Sequence, residues 1–167
     1  MNWFQIITAI STLIGGAIFY LLGRISGSTY FIPNNFNPSL VLTDEFGLIN
    51  QALPSLIHPL AFILLTVGVL GCKTKKGILY VSLFWLILDG LFELLQHEAI
   101  NQLLTPLIPA WFNNVIILDN IKTYMEVGRF DLYDLSFIAL GTVAAFFIST
   151  MTRKGRTPDE YAQQQTQ

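Results

Sequence analysis

The sequence predicts an all-α membrane protein: a bundle of four transmembrane helices, with an interfacial or re-entrant segment between spans three and four. Three observations carry that expectation. Of 167 residues, 53% are hydrophobic and only 12% are charged, where a water-exposed domain carries about 25% charged residues. Four stretches approach the roughly 20 apolar residues that a helix needs to cross a bilayer core. The basic residues gather at two places that a four-span chain puts on one side of the membrane.

The first span, residues 3–23, reads WFQIITAISTLIGGAIFYLLG. No Lys or Arg precedes it, which argues for a retained helix rather than a cleaved signal peptide. Residues 24–47 are polar and rich in Gly, Asn and Pro, and predict an irregular loop. Pro38 after Asn37 blocks the glycosylation triplet there. FGLINQAL, residues 46–53, predicts a short amphipathic helix lying on the surface. The second span covers residues 55–71 and is short. VLGC at residues 69–72 imitates a lipoprotein cleavage box, but the predicted orientation puts Cys72 on the cytoplasmic side.

The third span covers residues 78–97. After it, LLTPLIPAWFNNVIIL (residues 103–118) is apolar but broken by Pro106 and Pro109. Irregular backbone cannot face lipid, and Trp111 and Phe112 suit the interface. The fourth span covers residues 132–151. Residues 1–152 thus form one integral membrane domain, and residues 153–167 a polar cytoplasmic tail. Lys73, Lys75 and Lys76 follow span two, and Arg153, Lys154 and Arg156 follow span four. These are six of the nine basic residues. By the positive-inside rule both termini are cytoplasmic.

The net charge of −2 gives no basic footprint for nucleic acid. A single cysteine allows no internal disulfide. No period of 20–50 residues recurs, so no repeat array is expected.

The unusual stretch is DGLFELLQHE, residues 89–98. Asp89, Glu93 and His97 recur at i, i+4 and i+8 and share one helix face, with Gln96 beside them. Counted from Ile78 at about 1.5 Å per residue, Asp89 lies roughly 16 Å in, close to the midplane. His58 near the same end of span two, and Arg129, Asp131 and Asp134 before or within span four, belong to the same level. Ionisable groups in a membrane cost at least ~2.5–3.5 kcal/mol each on insertion scales, and face an interior, a cavity or one another. Arg129 is the natural partner for Glu93 or Asp134.

Two readings of this cluster stand side by side. It is a clasp that glues helices, or it is a site, with Glu93, Asp134 and Asp89 as candidate catalytic groups. In the second case Arg129, Gln96, His97 and His58 are candidate ligand-binding residues. Two histidines without H-E-x-x-H or C-x-x-C spacing give no metal expectation, and no motif points to a cofactor. The glycines and alanines at 15–17, 141, 144 and 145 predict close helix packing.

The order of these residues resembles the VanZ-like family of small bacterial membrane proteins. Its pattern is Glu-x-x-Gln in one span, an Arg before the last span, then an Asp, an Asn four later and a Gly three after that. Glu93, Gln96, Arg129, Asp134 and Gly141 match, and Ile138 stands at the Asn position. The match covers about a third of the chain. It implies a four- or five-span envelope protein, of a family with one member associated with glycopeptide-antibiotic resistance, and brings no particular reaction with it.

Three functions follow as expectations. The first is an envelope protein that binds or modifies a membrane lipid or lipid-linked headgroup. The second is an accessory subunit with a partner membrane protein, or a homo-oligomer. The third is proton-coupled transport along Asp89, Glu93 and His97.

Overall fold

The computed structural model describes residues 1–22, 47–114 and 128–153. Those residues are helical throughout their ordered elements and contain no strand. Four helices are long and apolar enough to cross a membrane: α1 (Trp3–Leu22), α2 (Gly47–Leu70), α3 (Lys75–Leu95) and, last in the chain, α5 (Leu132–Thr152). Between α3 and α5 lie a seven-residue helix, α4 (Glu98–Leu104), and two 3-10 turns at Thr105–Leu107 and Ala110–Asn114. None of these three is long enough to span. Residues 115–118 of the predicted interfacial segment, the loop at 24–46 and the tail beyond Arg153 lie outside the described residues.

The predicted surface helix at 46–53 is corrected. From Gly47 onward its residues are the first turns of α2 itself, with Pro54 and Pro59 both inside the helix. In water an interior proline ends or kinks a helix. In a membrane, neighbouring helices satisfy the freed backbone, so the pattern runs on through it.

Packing inverts the arrangement of a soluble protein. Ile7, Ile14, Phe84, Ile87, Val143 and Phe147 are exposed, whereas Gln5, Ser82, Asp89, Glu93, Thr142 and Ser149 are buried. Lipid satisfies the apolar side chains, and only the bundle interior can satisfy the polar ones. α2 is the hub: α1, α3 and α5 all pack on it, and α3 also packs on α5. The core is formed by Ala9, Ile63, Leu64, Val67, Ile78 and Ala145. Gly141 brings α5 against α2 so closely that a Cβ there would strike the Leu56 carbonyl oxygen. Trp85 of α3 donates its indole N–H to Thr66 of α2 at 3.1 Å.

At one end of the bundle, the N-terminus of α1 closes on the C-termini of α2 and α5. The Asn2 N–H donates to the Gly68 carbonyl at 2.7 Å, one of the carbonyls that the end of α2 leaves without a helical donor. Gly71, at φ 62°, turns the chain out of α2, and the Cys72 N–H returns to the Val67 carbonyl at 3.2 Å. This is the longer bond of a Schellman motif. The Asn2 amide donates to the Thr152 carbonyl at 2.8 Å, and the Gln5 amide donates to Ser149 and Thr152. Lys73, Lys75 and Lys76 are exposed at this same end. The start of α2, the end of α3 and the start of α5 therefore meet at the other end, where the polar cluster lies.

Candidate functional site

The cluster is built by three helices. α3 begins with Thr74 as its N-cap, whose hydroxyl accepts the Gly77 N–H at 3.1 Å. It then runs 21 residues to Leu95. Asp89 and Glu93 sit one turn apart on its buried face, 7% and 6% exposed. Asp89 lies four residues past the helix midpoint at Trp85 and six short of Leu95, about 6 Å and about 9 Å at about 1.5 Å per residue.

Each carboxylate has a specific partner. Asp89 Oδ1 stands 3.0 Å from Nδ1 of His58 on α2. Its other oxygen, Oδ2, is buried with no hydrogen-bond partner among the described residues. Glu93 Oε1 accepts the backbone N–H of Asp131 at 2.8 Å, and Oε2 accepts the Gln96 amide at 3.1 Å. Asp134 Oδ1 accepts the Ser55 hydroxyl at 2.6 Å.

The start of α5 explains part of this pattern. Asp131 is its N-cap, with the side chain accepting the Tyr133 N–H at 2.8 Å. Asp134 falls three residues later, the position from which an acidic residue in a capping box reaches back to the N-cap N–H. Here Asp134 turns to Ser55 instead, and Glu93 of α3 takes that N–H. The box is completed by a different helix.

Two cavities flank the Glu93–Gln96 bond. The deeper one, about 320 Å³, lies between α2 and α3. Its polar lining is Ser55, His58, Asp89 and Glu93, against apolar walls that include Phe92 and Ile138. His58, with a half-exposed side chain, and Phe92, 42% exposed, stand at its rim. His58 is steadied by Phe62, whose ring lies 4.4 Å away, and by the edge of Trp85 at 6.0 Å. The second cavity, about 690 Å³, lies beyond the end of α3 and is lined by Gln96, His97, Asn101, Gln102, Arg129 and Phe130 among others.

The candidate residues thus divide into two groups. His58, Asp89 and Glu93 come together in the deeper cavity, with Asp134 attached through Ser55. Gln96, His97 and Arg129 line the outer one. His97 is not on the α3 face: α3 ends before it, and it becomes the N-cap of α4, stacked edge-on against Phe130 at 5.3 Å. The pairing expected for Arg129 is also corrected. Arg129 is exposed and makes no ion pair with a carboxylate among the described residues. A backbone N–H, an amide and a hydroxyl do that work for Glu93 and Asp134.

Sequence reasoning missed Ser55 and the Asp131 backbone N–H. The Asp-x-x-Asp spacing at 131–134 was a usable sign of an N-cap, though nothing in it names the partner helix. Among the described residues no three His, Cys, Asp or Glu side chains are disposed to hold a metal.

The fold and cluster together define a multi-pass, all-helical membrane protein with a polar cavity set into its bundle. Comparison with protein-family models, curated proteins and solved structures returns no match.

Proposed function

We propose that this chain is a small cell-envelope protein of the bacterial plasma (inner) membrane. In this reading both termini are cytoplasmic, and an outward-facing polar site binds or modifies a lipid or lipid-linked headgroup. The observation that carries the reading is the pair of cavities joined at Glu93 and Gln96. The deeper one has the His58–Asp89 pair within the span and a rim of His58 and Phe92. The outer one is of mixed polarity and holds Arg129 together with Glu98. A headgroup needs such a boundary, because its polar part must leave water while its apolar part stays in lipid. Arg129 suits an anionic group such as a phosphate.

Orientation supports the outward placement. The exposed lysines at 73, 75 and 76 lie at the opposite end of the bundle from the site, and basic loops face the cytoplasm. The VanZ-like pattern agrees with the same location, since Glu93, Gln96, Arg129 and Asp134 all lie at the site end.

Native mass spectrometry of the protein, extracted gently from its own membrane, tests the proposal. The expected result is a retained lipid that is lost on Glu93→Gln or Arg129→Ala while the protein stays monodisperse. Unchanged retention in both variants overturns it. A stoichiometric second polypeptide in place of lipid points to the accessory-subunit role.

A further inference from the structure

The deeper cavity has an unusual hydrogen-bonding balance. Among the described residues four polar side chains line it: Ser55, His58, Asp89 and Glu93. The Ser55 hydroxyl proton is spent on Asp134 at 2.6 Å. The His58 Nδ1 proton is spent on Asp89 at 3.0 Å. In the neutral imidazole this leaves Nε2 as a lone-pair acceptor. The carboxylates have only lone pairs to offer, and each Glu93 oxygen keeps one after serving Asp131 or Gln96. Pro59, in the same lining, has no N–H. Among the described residues, every polar valence left to a ligand is therefore an acceptor.

The charge balance points the same way. Asp89 and Glu93 line the cavity, Asp134 stands behind Ser55, and no Lys or Arg among the described residues lines it. Arg129 lies in the outer cavity. An acidic cluster alone is no site, but Asp89 adds a separate sign. It is 7% exposed, and its Oδ2 is buried with no donor among the described residues. A buried acceptor left so costs about 1–3 kcal/mol, and the field of a cation in the cavity offsets part of that cost.

From this geometry we infer that the cavity between α2 and α3 takes a primary ammonium group, whose N–H bonds meet His58 Nε2 and Glu93 and whose charge offsets that of Asp89. The inference rests on the reading of the site as a headgroup site, and names the chemistry of its ligand. A bare metal ion fits less well, because no three ligating side chains are grouped for one among the described residues. The ammonium comes from an aminophospholipid headgroup, with its phosphate beside Arg129, or from a soluble amine.

The test uses the full chain reconstituted in phosphatidylglycerol vesicles that also contain equal parts of phosphatidylethanolamine and phosphatidylcholine. Retained lipids are counted by native mass spectrometry. The trimethylated headgroup of phosphatidylcholine keeps the charge but has no N–H. The ethanolamine lipid is expected to be retained about tenfold over the choline lipid, the worth of one charge-assisted hydrogen bond. Glu93→Gln is expected to lower retention of the ethanolamine lipid to that of the choline lipid. A parallel arm measures free ethanolamine binding to wild type and to Glu93→Gln. Glu93-dependent binding of the free amine, with no lipid retained, keeps the ammonium site and removes the lipid reading. Lipid retained without headgroup preference, and no free-amine binding, overturns the ammonium site and leaves the lipid reading standing. The wild-type comparison needs no variant, so misfolding of Glu93→Gln does not remove the test.

Discussion

Glu93 accepts the backbone N–H of Asp131 at 2.8 Å, joining the end of α3 to the N-cap of α5. A buried carboxylate in a membrane helix is thus satisfied by a neutral backbone donor. Changes at Glu93 accordingly separate shape from charge. Glu93→Leu leaves the Asp131 N–H and the Gln96 amide without their acceptor, and is expected to destabilise by about 1–3 kcal/mol. Glu93→Gln keeps one amide oxygen for the Asp131 N–H, and is expected to cost less than about 1 kcal/mol. Unfolding in a denaturing-detergent titration measures both, and equal losses contradict the assignment.

The His58–Asp89 pair is open to a double-mutant cycle. His58 is half-exposed and Asp89 buried, so the interaction is only partly screened. His58→Ala, Asp89→Asn and the double variant are expected to show a coupling of about 1 kcal/mol, in the range for contacting polar pairs in membrane bundles. Strict additivity in the same titration means that the two side chains do not interact.

Glycines at two positions in the spans predict opposite outcomes. A Cβ at Gly141 strikes the Leu56 carbonyl oxygen and lies 3.1 Å from Pro59 Cγ, whereas one at Gly15 meets nothing within 4 Å. Gly141→Ala is expected to push α5 from α2 and destabilise by about 1–3 kcal/mol, as overpacking does. Gly15→Ala is expected to be neutral, or to gain about 0.5–1 kcal/mol from helix propensity. Thermal aggregation midpoints of the two variants should fall on opposite sides of wild type, or Gly15→Ala level with it.

Cys72 reports the orientation. It is the sole cysteine of the chain and is partly exposed beside the exposed Lys73. A membrane-impermeant maleimide should label it in inverted vesicles and not in intact spheroplasts. Labelling in intact spheroplasts places the lysine loop outside and reverses the whole assignment.

Four long helices were readable because lipid demands a signal that composition carries in full: long apolar runs with few charges. The boundaries were less readable. Pro54 reads as a stop, yet α2 begins seven residues before it, because neighbouring helices rather than local propensity decide whether a membrane helix continues. At the site, Asp89, Glu93 and His58 stood out as charges where charge is costly. Their partners did not stand out. Arg129 attracted the assignment because it is a full positive charge five residues before Asp134. The real partners of Glu93 and Asp134 are a main-chain N–H, an amide and a hydroxyl. A backbone N–H belongs to nearly every residue, so no sequence pattern marks which one will serve.

The pairings also impose an order on biosynthesis. α2 and α3 hold both members of the His58–Asp89 pair, so a nascent hairpin of these two helices already contains it as it leaves the translocation channel. Glu93 and Ser55 must wait, since the groups they bond, Asp131 and Asp134, arrive with the last of the four spans. A chain stalled on the ribosome before residue 131 therefore carries an unfinished carboxylate within the bilayer. Docking of α5 supplies the missing donor, the Asp131 N–H.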